Sequence, residues 1–314
     1  MYEEERGTVS EPHIEILELT KEHIKFVLHN ADLSVANSLR RIIMAEVPTM
    51  AIEFVNVKVN TSCMNDEYVA HRLGLIPLVS SNVDQFNYQH ENYFDNNTMN
   101  SPICSVKFSL KVKNNGTDTI EVTSYDLKQE DAETEDQRSV RPVEYTSIHG
   151  EPRHILIMKL QANQELDLEC IAQKGQGKLH SKWSPCSVCN FSYEPQITID
   201  QMKITNLNTQ QKMKLVDSCP RRVYSYHAKS GQVNIENPDA CIFCDECVKT
   251  ATEFGMPDLI KIGYTKNKFI FKVETNGSLK PDEIIDSALA QLKLKLETVE
   301  DALKNIRMGY RSGR

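Results

Sequence analysis

Ile285, Leu289, Leu292, Leu296, Val299, Leu303 and Ile306 stand 4, 3, 4, 3, 4 and 3 residues apart. An apolar repeat of seven held that long specifies a long helix carrying one narrow seam. Pro281 presets the first helical φ, and Asp282 and Glu283 favour the positive helix end. Drawn from 281 to 306 it would run about 39 Å, longer than a small module covers by itself. Something must lie along it: the chain's own sheet, a second copy, or another protein. The spacing alone does not choose among them.

The rest of the 314 residues suits two or three modest modules. Ile14 and Ile16, then Ile24, Phe26 and Leu28, alternate as half-buried strands do. Between Asp32 and Pro48 the period changes, with Val35, Leu39, Ile42, Ile43 and Val47 on one helical face, Asp32 at the cap and Pro48 at the stop. From about 50 to 200 the chain reads as strands between polar loops, with Val106, Phe108 and Leu110 alternating, and again Ile155, Ile157 and Lys159. The stretches Asn82 to Asn100 and Gln129 to Gln137 read as surface loops. From 201 to 258 cysteine, proline and turn residues mark a small separate module, after which Phe269, Phe271 and Val273 share one strand face.

With 40% hydrophobic and 25% charged residues the composition is globular, and a net charge of −8 argues against a free-standing nucleic-acid binder. Arg307, Arg311 and Arg314 are too few to reverse that balance. No stretch reaches the roughly 20 apolar residues needed to span a bilayer, and the acidic start is unlike a secretory leader, so an intracellular chain with reduced cysteines is expected.

Cysteine spacing then matters. Cys241, Cys244 and Cys247 place three thiols on one tight loop, and Cys219 precedes Pro220 as the remote ligand does in ferredoxins. Together they form a four-thiolate set for one 4Fe-4S cluster, with Ile242, Phe243 and Val248 as a candidate apolar shield. Ala251 stands where a further local cysteine would extend the pattern to a second cluster. Zinc is the alternative, although structural zinc sites usually arrive as two Cys-x2-Cys pairs; four unligated thiols are the third reading. Cys186 and Cys189 have the right spacing for such a pair, yet residues three apart on a strand face opposite sides, so these two are read as packed thiols, like Cys63 and Cys170. His71 has no nucleophile or carboxylate pattern around it and is read as structural. Gly175-x-Gly177 lacks what a phosphate loop needs and is read as a turn.

Asn30 to Pro48, with its core Leu39-Arg40-Arg41-Ile42-Ile43, and Glu67 to Leu78, with His71-Arg72-Leu73-Gly74-Leu75-Ile76-Pro77, resemble two signature blocks of the α family of RNA polymerase subunits. Lys174 to Pro185 is more similar to the polymerase II branch than to the one shared by polymerases I and III, and Val273 to Leu279 resembles the strand and turn before the closing helix. The likeness runs from about 12 to 306. It implies an α+β fold: a dimerisation domain formed by 1–58 and 259–314, interrupted by a β-rich insertion domain at 59–200 and a ferredoxin-like cysteine module at 201–258, of the kind archaeal relatives carry.

It also implies a non-catalytic nuclear assembly subunit that pairs with a smaller α-like subunit, the eleventh in polymerase II, and forms the platform for the second-largest subunit. By the same likeness Val35, Leu39, Arg40, Arg41, Ile42, Ile285, Leu289, Leu292, Leu296, Val299 and Leu303 belong to the partner interface. Gly175, Gly177, Lys178 and Trp183 belong to the face that docks the second-largest subunit. The zinc loop common after the Leu-Ile-Pro block lacks cysteines here before Cys104, and His90 with Cys104 would not close a site, so no metal is expected there. The equivalent subunit of polymerases I and III and an iron-sulfur electron carrier remain the competing functions.

Overall fold

The computed structural model describes residues 11–89, 104–130, 134–147, 149–228 and 230–312, with side chains throughout except at 137 and 307–312. His90, most of the 82–100 loop, part of the 129–137 loop, Arg314 and the side chains of Arg307 and Arg311 lie outside that description. The architecture is α+β, and no helix among the described residues is long and apolar enough to cross a membrane. Two compact units emerge. One comprises Met1–Glu15, Phe26–Ala36 and Phe191–Phe271, the other Ile16–Lys25, Asn37–Asn190 and Lys272–Arg314.

In the larger unit a four-stranded sheet runs in the order Pro48–Asn60, Glu165–Gln176, Ser105–Lys113, Lys128–Glu130. Alternation along Glu165–Gln176 buries Leu166, Leu168, Cys170 and Ala172, and the antiparallel register sets Leu168 against Leu110, Cys170 against Phe108 and Ala172 against Val106. This apolar face forms one core with Val69 and Leu73 of the helix Asp66–Gly74. The opposite face is wet and carries the ion pairs Lys58–Glu169, Lys111–Asp167 and Lys113–Glu165. On the short strand Leu156–Leu160 Ile157, Met158 and Leu160 are buried. Lys159 therefore does not share the Ile157 face; it reaches Glu121 at 2.9 Å on the exposed side.

The second sheet has the order His13–Leu19, His23–His29, Ile260–Thr275, Cys186–Ile199. Phe26 stacks on Phe271 with ring centroids 4.9 Å apart, and Phe191 meets Phe269 edge-on at 5.5 Å. Phe269, Phe271 and Val273 are fully buried, as their spacing requires. The strand His13–Leu19 departs from expectation: every residue of it is exposed, Ile14 and Ile16 included. The reason is its place at the sheet edge, where hydrogen bonding fixes the strand but none of the described residues covers it.

The first helix spans Leu33–Ala45, and its start is marked by the Ala36 N–H donating to the Asp32 carbonyl. The closing helix spans Pro281–Ser312, about 48 Å at the α-helical rise.

Candidate assembly interface and cysteine module

On the closing helix Ile284, Ile285 and Ala288 are buried, Leu292 is half-buried, and from there the seam lies open: Leu296 is 62% exposed, Val299 58% and Leu303 53%. A row of Leu and Val left in water over that length is what a second helix removes. Lys295 Nζ bonds both Glu46 oxygens, at 2.7 and 2.9 Å, so the seam starts beside the end of the first helix.

The expected interface residues fall into two groups. Val35 and Arg41 are exposed, and Arg40 is half-buried with Nε and Nη2 held by Asn37 Oδ1 at 3.3 and 2.9 Å. Leu39, Ile42 and Ile285, by contrast, are buried within the chain. They support the surface from inside and offer no area to a partner. The likeness grouped them with the exposed residues, and a helix packed on its own body and also on a partner spreads apolar residues over both faces.

The residues expected to dock the second-largest subunit divide in a similar way. Gly175 lies within the strand Glu165–Gln176 and not in a turn, and Gly177 follows that strand directly. A Cβ on Gly175 would sit 2.3 Å from Trp183 Cε2, and one on Gly177 would sit 2.6 Å from the Met44 carbonyl oxygen. Both glycines make room, one for an indole and one for the end of the first helix, where Lys178 N–H donates to the Ala45 carbonyl at 2.7 Å. Trp183 is only 6% exposed; its Nε1–H donates to the Gln173 carbonyl at 3.1 Å, and its carbonyl accepts the Thr49 hydroxyl at 2.7 Å. Gly175 and Trp183 are thus internal, and only Lys178 of the four is well exposed. Gly175→Ala should cost about 1–3 kcal/mol through overpacking, measured as a shift of the urea midpoint with unchanged slope.

Arg72 went unnoticed in the sequence. Its Nε and Nη2 donate to the carbonyls of Ile157 and Leu156 at 2.7 and 2.8 Å, tying helix Asp66–Gly74 to a strand. No sequence signal distinguishes such an arginine from a solvated one. His71 beside it is exposed.

The four module cysteines fall within the smaller unit. Cys219 follows the helix Thr209–Asp217, whose start is fixed by a reciprocal Asn208–Gln211 capping box, and its sulfur accepts the Val223 N–H at 3.5 Å. Phe243 and Asp245 take left-handed φ of 55° and 58°, which folds Cys241–Cys247 into a tight loop ending at helix Glu246–Glu253. Cys247 is buried in the first turn, where the helix dipole favours negative charge, and its sulfur accepts the Tyr224 hydroxyl at 3.3 Å. Burial pushes the Cys241 and Cys247 thiols up, opposed by N–H donors at Phe243 and Val248, and each senses the charge of Cys219. Burial and the neighbouring Cys247 likewise push the Tyr224 phenol up.

The module core includes Ala251, Leu215, Val233 and Leu259, with Val248 packed against it, while Ile242 projects into solvent and shields nothing. Among the described residues no group of three or more His, Cys, Asp or Glu side chains converges to hold a metal ion. The donor chemistry, four thiols with N–H and O–H donors aimed at sulfur, nonetheless fits a thiolate-held cluster.

Outside the module Cys170 is buried, and burial raises its thiol to about 12. Cys104 is also buried, but Cys63 is exposed on a loop and is not a packed thiol. Cys186 and Cys189 do not face opposite sides: their sulfurs lie 4.0 Å from the Ile43 carbonyl oxygen and 3.8 Å from the Arg40 carbonyl oxygen, on the same helix.

The fold defines a class, an α+β protein whose closing helix carries an exposed apolar seam. The model of the RNA polymerase Rpb3/Rpb11 dimerisation domain matches residues 25–296, and the chain belongs to that family. It is 44% identical to the DNA-directed RNA polymerase II subunit rpb3 of Dictyostelium discoideum, over 92% of this chain and 94% of that protein. It is 39% identical to the DNA-directed RNA polymerases II, IV and V subunit 3 of Arabidopsis thaliana, over 92% and 90%. Its identity to the RNA polymerases I and III subunit rpac1 of Dictyostelium is 32%, over 93% and 82%.

Proposed function

We propose that this chain is the non-catalytic assembly subunit of a nuclear RNA polymerase II. It holds a smaller α-like subunit, the counterpart of the eleventh, along its closing helix and offers the pair as a platform to the second-largest subunit. The open seam from Leu296 to Leu303 carries this reading, since the described residues of the chain leave it in water. Polymerase II is favoured over polymerases I and III because, within one organism, identity to the polymerase II subunit is 44% against 32%. Purification of the tagged chain from native extract, followed by mass spectrometry, should recover the second-largest subunit and a smaller α-like subunit of polymerase II. Recovery without polymerase subunits would refute the reading.

The cysteine module is proposed to hold a structural 4Fe-4S cluster on Cys219, Cys241, Cys244 and Cys247. When bound, such a cluster cross-links the loop to the Cys219 helix end. Support comes from the N–H and O–H donors directed at the Cys219 and Cys247 sulfurs and from the charge coupling of Cys241 to Cys219 and Cys244. A structural zinc more often takes two Cys-x2-Cys pairs than a triplet and a single cysteine. An electron carrier is disfavoured because the cysteine module would leave the exposed seam of the closing helix without a role. Cys244→Ser in anaerobically purified protein should abolish iron and acid-labile sulfide and lower the module's resistance to proteolysis. Iron content and resistance matching the wild type would refute the cluster, and zinc in place of iron would establish the alternative.

A further inference from the structure

The strand Cys186–Ile199 opens with a slip in its alternation. Its outward residues Ser187 and Asn190 are three apart, where a regular strand would place them an even number apart. One extra residue of this kind turns Cys186 and Cys189 to the same side. Both sulfurs then meet the first helix: Cys189 Sγ lies 3.8 Å from the Arg40 carbonyl oxygen and Cys186 Sγ 4.0 Å from that of Ile43. Those carbonyls are neighbours one turn apart. Ser184 Oγ approaches Cys186 Sγ at 3.9 Å.

The two thiols are unequal. Cys189 is buried, whereas Cys186 is half-exposed. The neighbouring Cys189 thiol, joined by Ser184, draws the Cys186 thiol below the ordinary range; the neighbouring Cys186 thiol, with burial, pushes Cys189 up. Since the thiolate is the reactive form, the accessible sulfur is the nucleophile and the buried one its resolving partner. Neither belongs to the four-cysteine module, and the assembly role uses neither.

We propose that Cys186 and Cys189 form a hydroperoxide-sensitive dithiol that closes reversibly into an intrachain disulfide beneath the first helix. The Cys186 thiol ionises and its thiolate attacks a peroxide oxygen; the S–O bond forms as the O–O bond breaks, giving a sulfenic acid, and the departing hydroxide takes up the proton released on ionisation to leave as water. Cys189 sulfur then attacks the Cys186 sulfur; the S–S bond forms as the S–O bond breaks, and hydroxide leaves with the Cys189 proton as a second water. Two thiols lose two electrons in all, and one hydrogen peroxide is reduced to two waters. A thiol reductant reverses the closure.

The full-length chain is exposed to graded hydrogen peroxide, denatured, alkylated and digested. The peptide holding both residues should lose its two alkylatable thiols together, with a mass lower by two hydrogens, and regain them after dithiothreitol, while Cys170 stays alkylatable throughout. In Cys189→Ser, dimedone should label Cys186 at the same dose; in Cys186→Ser, Cys189 should remain alkylatable. The proposal is overturned if both thiols survive a dose that oxidises the exposed Cys63, or if Cys186 passes to sulfinic acid in the wild type with no disulfide formed.

Discussion

Leu296→Asp combined with Leu303→Asp should weaken capture of the smaller α-like subunit by at least about a thousandfold while leaving the isolated chain as stable as the wild type. Both side chains lie mostly in water in the unpartnered chain, so neither replacement empties a core. Burying a leucine in a helix pair is worth roughly 1.5–3 kcal/mol, and two together give about 4 kcal/mol, close to three decades in the dissociation constant. The penalty for burying the new carboxylates adds to it. A titration of wild-type and doubly substituted chains, with thermal melts of each alone, reads both quantities. Equal affinities would remove the seam from the interface; a lowered melt of the isolated chain would mean that the seam packs on its own body.

Trp183→Ala should cost about 3–5 kcal/mol, the range for emptying a large aromatic site in a core. Three features keep that site from collapsing. The indole lies over Gly175, its N–H is fixed on the Gln173 carbonyl, and its own carbonyl anchors Thr49 on the facing strand. Lys182 adds a cation 4.4 Å above the ring and donates to the Ile52 carbonyl. A urea midpoint within error of the wild type would mean that the ring is not part of this core. Trp183→Phe, which keeps the ring but loses the N–H donor, should fall between the two.

These cases show what was legible in the sequence. The closing helix could be read because a seven-residue repeat needs only local geometry, and Phe269, Phe271 and Val273 because two-residue alternation does the same. The cysteine loop was visible from spacing, which the left-handed residues Phe243 and Asp245 then realise as a tight turn. The burial of Trp183 was not legible because it depends on Gly175, a residue on another element whose missing side chain creates the space. The exposure of Ile14 and Ile16 depends on strand order, which alternation does not encode. The likeness put Leu39 and Ile42 at the partner interface, and their burial within the chain was not legible because a helix face does not record whether its own chain or another covers it. Cys186 and Cys189 were set on opposite sides by a rule that holds only for regular strands, and a slip of one residue reverses it.

The central claim, that the open stretch of the closing helix exists to hold a smaller relative of this chain, is tested most directly by native mass spectrometry of the full-length chain co-expressed with the smaller α-like subunit of its own organism. The account predicts a one-to-one heterodimer that separates into its two components when Leu296 and Leu303 are both made aspartate. A chain that stays monomeric, or that pairs only with itself, would contradict it.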